Sequence, residues 1–154
     1  LVGDAPGSDR AFQLFLKSKD YASVTVYTSA DEIRNNVGNW QVEKIDSDLK
    51  SKSSAVRAFK DRKMCQIAEV GLMIWDCQSA GTLSNVIDLI DQGKNCFIWV
   101  APDSDLYQFD SPISLDKWMT AYPEVRDEAF NRLSTYRKRE AKRLNENSQP
   151  ELFG

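Results

Sequence analysis

The 154-residue chain contains no histidine. That absence removes the Ser-His-Asp and Cys-His catalytic designs and every His-ligated metal site. Any chemistry must rest on Asp, Glu, Ser, Lys, Arg, Tyr or backbone dipoles, and no metal site is expected. Cysteine is scarce: Cys65, Cys77 and Cys96 form an odd set with no C-x-x-C pair. This usage reads as reduced thiols in a cytosolic, hence cytoplasmic, protein, with Cys96 in a core strand and Cys77 more exposed. No run of about 18 apolar residues occurs, so no segment has the length of a membrane span, and no basic-then-apolar leader opens the chain. An excess of positive charge is also missing. Twenty basic and 23 acidic side chains leave a net charge of −3, and the pI is near 5.0, which argues against a general nucleic-acid coat. There is no internal repeat and no low-complexity tract.

What the chain does have is enough length for one compact domain with a tail, able to bury roughly 70% of its unfolded surface. It therefore needs no disulfide or metal to fold. Residues 3–9 combine two glycines, a proline and capping-type residues into a loop ending at Ser8 or Asp9, either of which suits the N-cap of a helix over Arg10–Asp20. Val24–Tyr27 is β-branched and aromatic, hence a strand. Thr28–Asn39 reads as a loop, Trp40–Ile45 as a weak strand, and Ala55–Glu69 as a helix that Gly71 ends. Leu72–Trp75 and Cys96–Val100 are continuous apolar runs that fit strands buried on both faces of a parallel sheet. Between them Leu83–Asp91 carries a helical stripe closed by Gln92-Gly93-Lys94. The alternation of strands and helices with short loops indicates an α/β fold: a Rossmann-like open, mainly parallel sheet flanked by helices. Leu106–Phe109 adds a short edge strand. Beyond it, Ser114 can cap a helix over Leu115–Ala121, and Pro123 opens a long polar helix to about Leu144, so the chain ends in a C-terminal helical extension.

Ligands of open α/β sheets bind beyond the carboxyl ends of strands. Two glycine-containing loops lie at such ends and open helices: Gly3–Asp9 and Asp76–Thr82. Glycine lets backbone approach a phosphate or sugar, and the N–H groups of a helix start favour an anion by about 0.3–1 kcal/mol. The plainer reading of both is an ordinary strand-to-helix turn, since neither is a G-x-G-x-x-G or Walker A sequence. Arg34-Asn35-Asn36 offers a guanidinium and two amides, or a solvated turn.

The loop G-D-A-P-G-S-D at Gly3–Asp9 resembles the "G-x-A-x-G-A-D" loop of the SLOG superfamily, the Rossmann-like group that includes DprA/SMF proteins and the LOG phosphoribohydrolases. Asp61, Lys63-Met64, Met73-Ile74-Trp75-Asp76 and Ser79-Ala80-Gly81-Thr82 are similar to the "D-x-x-M" helix and "W-D-G-x-S-x-G-T" strand end of its small stand-alone members. The likeness covers Val2–Val100. It implies a pocket between the two loops for a nucleotide or nucleotide-derived ligand, lined by Gly3, Asp4, Gly7, Ser8 and Asp9 on one side, by Asp76, Ser79, Gly81 and Thr82 on the other, with Arg34 and Asn35 added. By that carry-over Ser79 and Thr82 suit phosphate contacts and Asp76 suits a ribose diol or a base amine; the plainer role for Asp76 is to cap the next helix. No cofactor beyond such a ligand is implied. The resemblance also implies that a first strand and helix of the fold are absent here, giving an organisation of a 1–112 domain, a 113–146 helical extension and a 147–154 flexible tail.

Two departures bear on activity. Hydrolytic LOG enzymes carry "P-G-G-x-G-T-x-x-E", but Asn85 stands at the glutamate position, and Cys77 replaces the family glycine. An amide is neither general base nor nucleophile, so binding or sensing without turnover is the leading expectation. An enzyme that cleaves or transfers N-glycosides is the alternative, with Asp76 or Asp9, or Asp4, replacing the lost carboxylate. A third expectation comes from the end of the chain. Gln149-Pro150-Glu151-Leu152-Phe153 resembles the short Gln-x-x-Leu-Phe peptide by which bacterial replication and repair proteins dock on the sliding clamp, with Gln149, Leu152 and Phe153 as its anchors. The basic stretch Arg132–Arg143 is either a phosphate-contacting face or a solvated helix face. No membrane partner is expected, and homo-oligomerisation is left open.

Overall fold

A computed structural model describes residues 1–45 and 54–148, with only the backbone of 54–58 and 138–148. In chain order the elements are β1 (Val2–Gly3), α1 (Ser8–Ser18), β2 (Thr25–Thr28), β3 (Gln41–Lys44), α2 (Ser54–Ile67), β4 (Val70–Trp75), α3 (Ala80–Ile90), β5 (Asn95–Val100), β6 (Asp105–Phe109), α4 (Pro112–Ala121) and α5 (Pro123–Ser148). The fold is α/β, with mainly parallel sheets flanked by helices, as the alternation of patterns indicates. The chain divides into two compact units, Leu1–Met64 and Cys65–Gly154, and the strands are shared between two three-stranded sheets, one in each unit.

In the first unit β1, β2 and β3 are parallel in that order, with Val2 opposite Val26 and Val26 opposite Val42. Parallel neighbours need a crossover. Helix α1 provides it between β1 and β2, and the irregular residues 29–40 provide it between β2 and β3. A small core of Val2, Val24 and Val26 packs against Phe12 and Leu16 of α1 and against Trp40. Helix α1 starts earlier than the sequence suggests. Its N-cap is Gly7, at φ 96°, and makes no side-chain cap, while Ser8 and Asp9 lie inside the first turn. Asp9 does not cap the helix because its carboxylate turns back to accept from the Ala5 amide at 3.0 Å.

In the second unit β4 and β5 are parallel and β6 is antiparallel to β5, with Gly71 opposite Cys96 and Cys96 opposite Phe109. Helix α3 buries Leu83, Val86, Leu89 and Ile90 against Trp75, Ile98 and Val100, and α4 and α5 add Leu115, Met119, Ala129 and Leu133. Each buried Val, Leu, Ile or Met among them contributes about 1.5–3 kcal/mol. Trp118 stands among four aromatic rings: Tyr122 at 4.8 Å, Tyr107 at 5.4 Å, and Trp75 and Phe109 each at 6.1 Å. Cys96 and Cys65 are buried and Cys77 is half-buried.

Three further local expectations are corrected. Neither β4 nor β5 is buried on both faces: in β4 Gly71 and Trp75 are buried, but Val70, Leu72 and Ile74 are exposed, Leu72 at 54%, and in β5 Trp99 is exposed between buried Ile98 and Val100. The apolar run reflects side chains that no described element covers, so the sheet alternates as a one-sided sheet does. The cap of α4 is Ser111, not Ser114. Ser111 Oγ accepts from the Ser114 amide while Ser114 Oγ accepts from the Ser111 amide, a reciprocal box with Pro112 at the first helical position. Helix α5 runs through Ser148, past the expected end near Leu144. No described helix is long and apolar enough to cross a membrane.

Candidate functional site

Strand β1 ends at Gly3, and Asp4 follows at the carboxyl edge of the first sheet. Its side chain is 0% exposed. A carboxylate there must be fully hydrogen-bonded, and it is. Thr28 Oγ1, at the end of β2, donates to Asp4 Oδ2 at 2.8 Å. The Arg34 amide and Nε donate to the same oxygen at 3.3 and 3.0 Å, and Arg34 Nη2 pairs with Oδ1. Asn35 Nδ2 donates to the Asp4 carbonyl at 2.8 Å. Burial pushes the Asp4 pKa up, but the bonds from Arg34 and Thr28 outweigh it and hold it below the ordinary carboxylate value. The same contact raises the pKa of Arg34.

Gln13 completes this scaffold. It is 0% exposed; Nε2 donates to the carbonyls of Gly3 at 2.8 Å and Asn35 at 3.1 Å, and Oε1 accepts from the Val37 amide at 3.0 Å. Helix α1 is thereby tied to both loops at the sheet edge. Asn36 does not join the group. Its amide brackets Trp40, donating to the carbonyl at 2.8 Å and accepting from the amide at 3.0 Å, and so closes the turn into β3.

Above Gly3 sit two charged groups, Asp9 from α1 and Lys60 from α2. A Cβ on Gly3 would fall 2.7 Å from Asp9 Cγ and 2.9 Å from Lys60 Nζ, so both pack on bare backbone and an added methyl would have to displace them. Lys60 is only 4% exposed, a rarity for lysine that demands a partner; Asp61 Oδ1 supplies it at 3.2 Å. Asp9 is half-buried. Burial pushes its pKa up, the Ala5 amide and Lys60 oppose this, and the neighbouring charges of Asp61 and Asp4 add to the rise.

The structure thus brings together Gly3, Asp4, Asp9, Arg34 and Asn35, all expected, with Gly7 and Ser8 at the adjoining helix start. Sequence reasoning missed Gln13, Thr28 and Lys60. Each left a signal: an amide inside the apolar stretch Ala11–Leu16, a hydroxyl at the end of a β-branched strand, and a lysine between Phe59 and Met64 on a helix.

The loop between β4 and α3 is built differently. Asp76 Oδ1 accepts from the amides of Gln78 at 2.9 Å and Ser79 at 2.7 Å, with Cys77, between Asp76 and Gln78, at φ 62°. Burial raises the Asp76 pKa, but these amides outweigh it and leave it lowered. Ser79 is the N-cap of α3; its Oγ accepts from the Thr82 amide at 3.4 Å and from Thr82 Oγ1 at 3.1 Å. The Trp75 indole donates to the Ser79 carbonyl at 3.1 Å and fastens the loop to the core. A Cβ on Gly81 would reach no nearer than 4.0 Å to the Tyr136 hydroxyl. The turn-and-cap role is therefore occupied by Asp76, Ser79 and Thr82 themselves. Asn85 lies on α3 with its carbonyl 3.8 Å from Cys65 Sγ. Among the described basic side chains of that stretch, Arg132 meets Glu128 and Gln78, and Arg137 meets Asp88. Gln149, Leu152 and Phe153 lie outside the described residues.

In comparisons with known proteins, the chain matches no family model, no curated protein and no solved structure.

Proposed function

We propose that the protein binds a nucleotide or nucleotide-derived ligand at the carboxyl edge of the first sheet, where the Gly3–Asp9 loop, the end of β2 and Arg34-Asn35 converge. The observation that carries this reading is Arg34. A fully buried carboxylate holds two of its nitrogens, yet the side chain keeps 32% of its surface exposed. A guanidinium fixed in this way loses little freedom when it meets a phosphate. Helix α1 adds a first turn without a side-chain cap, and a Cβ at Gly7 would meet nothing within 4 Å, so the approach to that turn is open. Uncapped first-turn amides favour anions. The likeness of the loop to the SLOG superfamily supports the same chemistry. Asp76, Ser79, Gly81 and Thr82 are the strand-end loop of the second unit and remain candidate contacts in their own right.

Isothermal titration with AMP, ADP, cyclic AMP, NAD and ADP-ribose tests the reading. Saturable binding of at least one is expected, weakened by about tenfold or more in Arg34→Ala, the loss of one charge-assisted contact. Binding by none, or equal binding by the variant, contradicts it.

A further inference from the structure

Helices α3, α4 and α5 all pack on one face of the second sheet, the face of Trp75, Ile98 and Phe109. The alternate positions of the same strands lie on the other face and stay open. Val70, Leu72 and Ile74 of β4, Trp99 of β5 and Leu106 of β6 are exposed, and Phe97 is half-buried among them. The register makes them one patch: Leu72 lies opposite Phe97, and Trp99 lies between Ile74 and Leu106.

Two features set this patch apart from scattered exposed side chains. The first is composition. A sheet with one face in water alternates apolar and polar residues, whereas strands covered on both faces are apolar throughout. Leu72–Trp75 and Cys96–Val100 are of the second kind, yet the described elements cover one face only. The strands are composed for a cover that the described residues do not supply. The second feature is charge. None of the outward positions of the three strands carries any. The two polar ones stand together at one side of the patch, where Gln108 Nε2 donates to Asn95 Oδ1 at 3.2 Å.

These features select the occupant. A highly charged partner finds nothing on this face to pair with. A second copy of the chain finds a flat apolar face that is its own complement, and two chains of net charge −3 meet there without opposing like charges. The area is sufficient. The five exposed residues keep 37–54% of their surface, which with Phe97 amounts to on the order of 500 Å² of apolar area per copy. Two copies together bury about 1,000 Å² before any polar rim is counted, the size at which specific interfaces begin.

We propose that this face is the interface of a two-fold homodimer, in which the second sheets of two copies stack face to face about 10 Å apart with Trp99 of each copy near the centre.

Sedimentation equilibrium of the full chain between about 1 µM and about 1 mM tests this, the range in which an interface of such modest size dissociates. The wild type is expected to pass from monomer to dimer and to stop there, since a contact of one patch with its own copy closes. Leu72→Lys and Trp99→Glu, on different strands, should each weaken pairing by about thirtyfold or more, as the loss of a central anchor does. Phe15→Lys, at an exposed apolar position of α1, should leave pairing unchanged. A chain that is monomeric at every concentration leaves the face to another protein or to lipid and overturns the inference. Assembly beyond the dimer overturns it too, as does a dimer that both face variants keep, or one that Phe15→Lys weakens as much as they do. The wild-type result needs no variant, and it does not depend on nucleotide binding.

Discussion

Asp4 and Asp9 flank one turn, at the end of β1 and the start of α1, and their pKa values shift in opposite directions, because one is buried against a guanidinium and the other is not. The Asp4 pKa is lowered in the folded state, so its contribution is present above the unfolded value and is lost as pH falls through the folded value. The Asp9 pKa is raised, so its contribution is full below the unfolded value and is lost as pH rises through the folded one. Thermal unfolding between pH 3 and pH 7 separates them. Asp4→Asn should be destabilised at pH 7 by about 1–3 kcal/mol, the cost of disturbing a buried hydrogen-bonded group, with the deficit shrinking toward pH 3. Asp9→Asn should gain relative to the wild type as pH rises. Identical pH profiles for the two variants would contradict this account of the loop. Gly3→Ala is expected to cost about 1–3 kcal/mol by overpacking, since the new methyl meets the short Asp9 side chain and the buried Lys60 together. Unchanged stability would place that pair elsewhere.

At the scale of elements, caps and crossovers explain most of what could be read from the sequence and most of what could not. The strands and helices follow from β-branched runs and apolar stripes, and their ends differ from expectation wherever a polar side chain had a choice of partner. Asp9 could cap α1 but serves Ala5 instead. Ser114 could begin α4 but sits at the third helical position, answering Ser111. Such choices depend on which amides the fold leaves open, which spacing does not encode. Ser79→Ala should cost about 1 kcal/mol, the usual price of an N-cap, and should loosen the Asp76 turn; a circular-dichroism melt reads the cost directly. On β4, Leu72 is exposed within one copy, so at concentrations below those of pairing Leu72→Lys should change stability by no more than about 0.5 kcal/mol. A loss of several kcal/mol there would show that the chain itself covers that face.

For the molecule as a whole, the α/β class was legible because strand and helix patterns alternate. The partition into two three-stranded sheets was not, since pattern fixes an element's type but not which neighbour it pairs with. The site was legible in its glycines and acids, which sit on a loop with a recognisable spacing. Its buried supports, Gln13, Thr28 and Lys60, were hidden because their roles arise from groups distant in sequence: Gln13 reaches Asn35, Thr28 reaches Asp4, and Lys60 reaches the space above Gly3. The net charge of −3 fits this picture, in which cations at the site are individually paired and do not form a broad basic surface. The most direct test of the central claim is mass spectrometry of small molecules released on denaturing the purified protein, wild type beside Arg34→Ala. A nucleotide or nucleotide-derived mass carried by the wild type and depleted from the variant is the expected result. A released ligand with neither nucleobase nor phosphate, or a nucleotide carried equally by both proteins, would contradict it.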